Sequence, residues 1–156
     1  MLQVIKAKPN PAGKDKTGRF LLSSKQLGAE WIDIKNIGTA GQSLKNIQIY
    51  HVVYRDGSVE WELLKDFDNF ESTPALPVGT IARIHSGSGP LTILDPEDVQ
   101  GANRHFFTGK GYVWNNNEID RPMIWDKAKE VVVDQTYYDA PVPDGKILVR
   151  VNNKLI

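Results

Sequence analysis

The 156-residue chain contains no cysteine, which removes disulfide bridges, thiolate metal centres and cysteine nucleophiles from consideration. Histidine is scarce. His51, His85 and His105 are the only three, on separate segments and without the short spacing that sets two metal ligands on one face, so core or surface roles are expected for them. Net charge is also missing: 19 Lys plus Arg stand against 19 Asp plus Glu. No whole-molecule field therefore gathers polyanions or anionic lipid, and nucleic acid is not the default partner. No apolar run approaches the roughly 20 residues of a bilayer-spanning helix, so membrane insertion is not expected. Met1 to Lys8 lacks the charged start and apolar core of a signal peptide; with a removed leader, secretion or cell-surface display stays open. Repeats, low-complexity tracts and a sustained 3.6-residue period are absent too, which argues against solenoids, linkers and helical bundles.

What remains is a series of short apolar runs separated by turn residues, in a chain that is 40% hydrophobic and 24% charged. That pattern predicts one packed all-β domain over residues 1–156. Leu2 to Ala7 reads as a first strand, stopped by Pro9-Asn10-Pro11-Ala12-Gly13-Lys14-Asp15, and Phe20 to Leu22 as a re-entry into the fold. In Glu30 to Asn36, Ile32 and Ile34 share one face while Trp31, Asp33 and Lys35 share the other, the pattern of a half-buried strand. Leu44 to Tyr54 carries Ile47, Ile49 and Val53 in one phase and Val52 and Tyr54 in the other, which calls for a bulge or a strand covered on both sides. Asp56-Gly57 suits a type I′ turn joining Val52–Arg55 to Ser58–Trp61.

After the acidic and aromatic stretch Asp66 to Glu71, Leu76-Pro77-Val78-Gly79 reads as a turn into the strand Thr80 to His85. Ala82 and Ile84 should face in, with Arg83 and His85 facing out. Asp95-Pro96-Glu97-Asp98 has a cap residue, a proline at the first helical position and acidic first-turn residues, so a single helical turn is expected before Gly101. Val113-Trp114, Met123 to Trp125 and Val131 to Tyr138 complete the strand set, the last two joined through Asp126-Lys127-Ala128-Lys129. Ile147, Val149 and Val151 alternate once more.

Chemistry is harder to find than fold. Ser86 and Ser88 lack the strand-to-helix elbow of a Gly-x-Ser-x-Gly hydrolase, and Gly87, Gly89, Gly109 and Gly111 lack a strand-loop-helix phosphate motif, although they suit an anion-binding nest. Glu60 and Glu62 alternate on one strand and do not make a glycosidase pair. No acid-base pair or cofactor motif emerges, and neither catalysis nor a cofactor is expected. Asn115, Asn116, Asn117, Glu118 and Asp120 collect the oxygen ligands that Ca²⁺ prefers, against the competing reading of Asx turns that satisfy local backbone groups. Among the aromatic residues, Arg104-His105-Phe106-Phe107 is the segment expected to be exposed and to bind.

These pieces, in order, resemble the lamin tail domain, the immunoglobulin-like module of nuclear intermediate filaments that also occurs in many bacterial proteins. Pro11-Ala12-Gly13 with Asp15 resembles its opening loop and Glu30 to Asn36 its Glu-aromatic-aliphatic-acidic-aliphatic-x-Asn strand. Leu44-Lys45-Asn46-Ile47 is similar to its Leu-x-Gly-Trp segment. Leu76 to Gly79, Ile84 to Gly89, Val113 to Asn116 and Val132-Val133-Asp134 through Tyr138 resemble its bacterial branch. The match spans about residues 2–138, with residues 139–156 as a C-terminal extension. Asn46 and Ile47 stand where the family has Gly and Trp, Asn117-Glu118-Ile119-Asp120 replaces a tighter Gly-Asp turn, and Arg19 to Ala29 and Pro90 to Lys110 look like insertions. The resemblance implies an immunoglobulin-like antiparallel β-sandwich and a non-enzymatic interaction module that docks a protein partner or cell structure. A carbohydrate-binding module and a DNA-binding tail are the alternatives, and the chain carries no heptad rod with which to build a filament itself.

Overall fold

Period-two alternation turns into strands wherever it is sustained, and in the computed structural model, which describes residues 1–13, 16–17, 21–68 and 75–156, these strands form two packed sheets. In chain order the elements are β1 (Leu2–Lys8), β2 (Lys16–Thr17), β3 (Leu21–Leu22), α1 (Ser24–Gly28), β4 (Trp31–Asn36), β5 (Ile47–Arg55), β6 (Ser58–Asp66), β7 (Ile81–His85), α2 (Pro96–Val99), β8 (Arg104–Phe107), β9 (Met123–Asp126), β10 (Val131–Gln135), β11 (Leu148–Val151) and β12 (Lys154–Leu155). One sheet has the order β12-β11-β1-β4-β7-β8, the other β10-β9-β5-β6, and β2 and β3 pair by themselves. Leu2, Val4, Ile32, Ile34, Ala82 and Ile84 of the first sheet meet Ile47, Ile49, Leu64 and Ile124 of the second in one core. The chain is thus an all-β sandwich.

Local devices decide which residues reach that core. The Asp56-Gly57 turn forms as expected: both residues have positive φ (48° and 81°) and Arg55 faces Ser58 across it. A bulge in β1 shifts the register against β4 between Val4 and Lys6. This change of phase lets Ala7 remain in the core while Lys8 points to the opposite face. A second bulge adds a residue to β6 at the level of Ile49 and Tyr50 of β5, so that Leu64 enters the core. β5 itself is covered on both sides, with Ile49 and Val52 of opposite phase both buried.

Several expectations need correction. β4 is not half-buried, because Trp31 and Asp33 are as inaccessible as Ile32 and Ile34. Arg83 and His85, expected to face out, are also buried. The cause is topological. β7 and β8 pair in parallel, and a parallel neighbour requires a crossover; this one carries α2 over the outer face of the six-stranded sheet. There Asp98 accepts from Lys8 Nζ at 2.7 Å and from Trp31 Nε1 at 2.8 Å. Arg83 forks onto Asp33 at 2.7 and 2.9 Å, donates to the Glu97 carbonyl at 3.1 Å and stacks 3.6 Å from the Trp31 ring centroid. The helical turn beginning at Pro96 is therefore built into the sheet and is not a self-contained insertion.

Val113-Trp114 is buried but extends no ladder, and β10 ends at Gln135, with Tyr137 and Tyr138 joining only single bridges. In the C-terminal segment Leu148 fills the core while Val149 and Val151 are exposed. β11 has partners on both sides, so Ile147 to Val151 is not an open edge. Leu21 and Leu22 are exposed. Lys14 and Asp15 of the opening loop, Phe20, and Asn69 to Glu71 lie outside the described residues.

Candidate functional site

Direct cross-strand neighbours point to the same side of a sheet, and the second sheet carries two sets of them. Facing the core are Ile47, Ile49, Leu64 and Ile124. Facing away are the pairs Tyr54↔Val59, Val52↔Trp61, Tyr50↔Leu63, Tyr50↔Met123 and Trp125↔Val132, with Gln48, opposite Trp125 and Asp66, at one end. An outer face so rich in aromatic and aliphatic side chains is unusual, because antiparallel sheets normally turn polar residues to solvent. Val59 is 55% exposed, Val132 48%, Trp61 44% and Tyr54 41%. These four side chains make accessible apolar surface, while Val52 and Met123 of the same phase lie buried beneath their neighbours.

At one corner the face runs into a cleft of about 300 Å³ lined by Ile119, Arg121, Gln135, Thr136, Tyr137 and Asn153. Two contacts join cleft and face: the Tyr54 hydroxyl donates to the Ile119 carbonyl at 2.6 Å, and Gln135 is the cross-strand partner of Met123. The side chains of Arg121 and Gln135 have no hydrogen-bond or ion-pair partner among the described residues. The Asn153 amide oxygen accepts from Arg150, and Lys154 lies 5.4 Å from the Tyr137 ring centroid. The Arg121 guanidinium and the Gln135 amide are therefore lining groups without a partner among the described residues.

Arg104, His105, Phe106 and Phe107 form β8 and are half-buried rather than freely exposed. Phe106 meets Phe67 edge-on at 5.0 Å, Phe107 stacks on His85 at 4.9 Å, and Arg104 donates to the Ala75 carbonyl. His105 Nδ1 lies 2.9 Å from His85 Nε2, while His85 Nδ1 faces the Gly28 carbonyl at 2.5 Å. Sequence spacing gave no hint of this histidine pair, because parallel β7–β8 pairing creates it. Burial depresses the His85 imidazole to about 4 and lowers His105 as well.

Asn115 to Asp120 is organised around one carboxylate. Asp120 accepts from His51 Nδ1 at 3.0 Å, from the backbone N–H groups of Val52 (3.1 Å), Asn115 (2.9 Å) and Arg121 (2.7 Å), and from the Tyr138 hydroxyl at 3.3 Å. Asn115 donates to the Val52 carbonyl and Asn116 to Asn10, while Asn117 and Glu118 are exposed at the tip. Among the described residues no group of three or more His, Asp or Glu side chains is arranged to hold a metal ion. The glycine-rich segments likewise use their own donors: Gly87 N–H bonds the Lys110 carbonyl and Gly109 N–H bonds the Gly87 carbonyl. Ser86 is buried, and its hydroxyl donates to Glu30.

Glu30 is the strongest electrostatic anomaly. Burial pushes its carboxyl up to about 8, against the opposing hydrogen bonds from Ser86 and from the Val113 and Trp114 backbone, with nearby Asp120 adding to the rise. From its ordinary 4.5 up to about 8 the folded chain holds a proton there that the unfolded chain has released, so this group makes stability fall as pH rises. His85 acts oppositely between about 4 and its ordinary 6.5, where the unfolded chain holds the extra proton. The two slopes offset each other in mildly acidic solution, and of this pair only Glu30 acts between neutrality and about pH 8. Urea midpoints should therefore drop between about pH 6.5 and pH 8, with a loss of about 2 kcal/mol at about 1.4 kcal/mol per unit. In Glu30→Gln that decline should vanish; a variant with the same decline would assign it to another group.

Compared with protein-family models and with curated proteins, the chain matches no family and no individual protein.

Proposed function

We propose that the chain is a non-enzymatic interaction module of lamin-tail type, with an immunoglobulin-like sandwich as its scaffold and the outer face of β10-β9-β5-β6 as its docking surface for a protein. The observation that carries this reading is the accessible apolar face formed by Tyr54, Val59, Trp61 and Val132. Contiguous exposed apolar surface marks interaction sites on soluble domains, and Trp and Tyr supply much of the binding energy where proteins meet. The order of motifs that resembles the lamin tail domain supports the same reading.

A carbohydrate-binding module is the second reading, favoured by the exposure of Trp61 and Tyr54 beside half-buried Tyr50 and Trp125. The aliphatic side chains among them, Val59, Leu63 and Val132, suit a protein better than a sugar.

The test is affinity capture with the purified chain and with Trp61→Lys, whose exposed site should cost less than about 1 kcal/mol of stability. A stoichiometric protein partner retained at high salt by the original chain and lost by Trp61→Lys is the expected result. Equal capture by both would remove this face from the interaction. Binding to a glycan array, or to DNA with a steep salt dependence, would replace the protein reading.

A further inference from the structure

The Arg121 cleft lies against the apolar face, and its chemistry restricts what can occupy it. A guanidinium without a protein partner is a fork of five donors that matches a carboxylate with two parallel hydrogen bonds. Around it stand the unpartnered Gln135 amide and the NH₂ of the Asn153 amide. The nearest acidic residue in sequence, Asp120, is fully buried and saturated by five donors, so it does not neutralise Arg121. Lys154 is held by Asp139 and Arg150 by Asp134. Arg121 is thus a cleft-lining charge with no ion-pair partner among the described residues.

We propose that this cleft receives an acidic side chain of the docked protein, with Arg121 binding its carboxylate while flanking apolar residues of the same segment lie on the exposed Tyr54 and Trp61. The proposal rests on the docking face described above and names the chemistry of the partner: an Asp or Glu set among apolar residues. Size agrees, since about 300 Å³ takes one side chain and not a folded element. Continuity agrees as well, because the Tyr54–Ile119 hydrogen bond and the Met123–Gln135 pair put the cleft and the face on one surface. A peptide is favoured over an acidic sugar because Lys154 already sits over the Tyr137 ring, the one aromatic ring lining the cleft.

The experiment is a ¹⁵N NMR titration of the whole chain with three probes: acetyl-Leu-Glu-Leu-amide, its Gln counterpart and glucuronate. The Glu peptide should shift the backbone signals of Arg121, Gln135, Thr136 and Asn153 and bind about tenfold more tightly than the Gln peptide. Arg121→Gln, on the exposed rim, should erase that difference without altering the rest of the spectrum. Equal affinity for the two peptides, or a difference that survives Arg121→Gln, would overturn the proposal, and so would tighter binding of glucuronate than of the Glu peptide. The indole signals of Trp61 and Trp125 separate the two readings. Cleft shifts without indole shifts would keep the carboxylate site and refute the docking face, whereas indole shifts produced equally by the Glu and Gln peptides would do the reverse.

Discussion

Asp120→Ala should destabilise the fold by about 4–5 kcal/mol, a large share of the roughly 5–15 kcal/mol that holds a domain of this kind together. The substitution removes the acceptor of five hydrogen bonds at a site closed to solvent. Three of those donors are backbone N–H groups, and each costs about 1–3 kcal/mol when left buried without a partner. The loss would reach beyond the Asn115 turn, because Asp120 ties that turn to β5 through Val52 and His51 and to the closing segment through Tyr138. Asp120→Asn should be milder, since an amide oxygen retains part of the acceptor capacity while its NH₂ faces donors. It should also lower the raised Glu30 pKa, to which the Asp120 charge contributes. Urea denaturation of the two variants measures the first effect, and the pH dependence of Asp120→Asn the second. The same carboxylate bears on the Ca²⁺ reading: with its oxygens committed to protein donors, about 5 mM Ca²⁺ should leave the melting temperature unchanged. A rise in melting temperature would support Asn115 to Asp120 as a metal site.

Arg83→Met should cost about 3–5 kcal/mol, because it leaves the Asp33 carboxylate buried with no cation. The double variant Asp33→Leu/Arg83→Met should recover much of that loss, since replacing both charges by apolar side chains removes the desolvation penalty along with the attraction. The recovery will be incomplete, for Arg83 also bonds the Glu97 carbonyl that helps to seat α2 and packs on Trp31. Chemical denaturation of the two single variants and the double variant measures the coupling. A double variant no more stable than Arg83→Met would show that the guanidinium's contacts to α2 and Trp31 outweigh its pairing with Asp33.

Strands were legible from the sequence because a period-two pattern is local. Ile32 and Ile34, Ala82 and Ile84, and Ile47 and Ile49 all reach the core from the faces that alternation assigned to them. Asp56-Gly57 was legible for a similar reason, as the backbone conformation of two residues selects the turn. The outward sides of the same strands were misread: Trp31, Asp33 and Arg83 look like solvent-facing positions until α2, some ten residues beyond β7, lies over them, and His85 does so until Gly28, His105 and Phe107 close on it. Alternation reports that a residue faces away from one core and says nothing about what covers it.

The candidate site shows the same division. Trp61, Tyr54, Trp125 and Val132 stand on four different strands, and no window of sequence contains them together. One available signal was that Val59, Trp61 and Leu63 form an apolar row in phase opposition to Glu60, Glu62 and the buried Leu64. Arg104 to Phe107 drew attention as an aromatic cluster, yet it lies in an edge strand whose rings fold back onto Phe67 and His85. Asn115 to Asp120 drew attention as an oxygen-rich turn, yet its central carboxylate points inward.

By itself the sequence determined the all-β class, the Asp56-Gly57 hairpin turn, the inward residues of the central strands and the lack of thiol chemistry, because each follows from composition or from interactions a few residues apart. Only the tertiary structure decided the parallel β7–β8 pair, the buried charges beneath α2, the raised Glu30, the histidine pair, and the meeting of an apolar sheet face with an unpartnered Arg121. Those features arise between segments distant in the chain, where strand order and the burial it imposes, rather than local propensity, set which side chains meet and whether water reaches them.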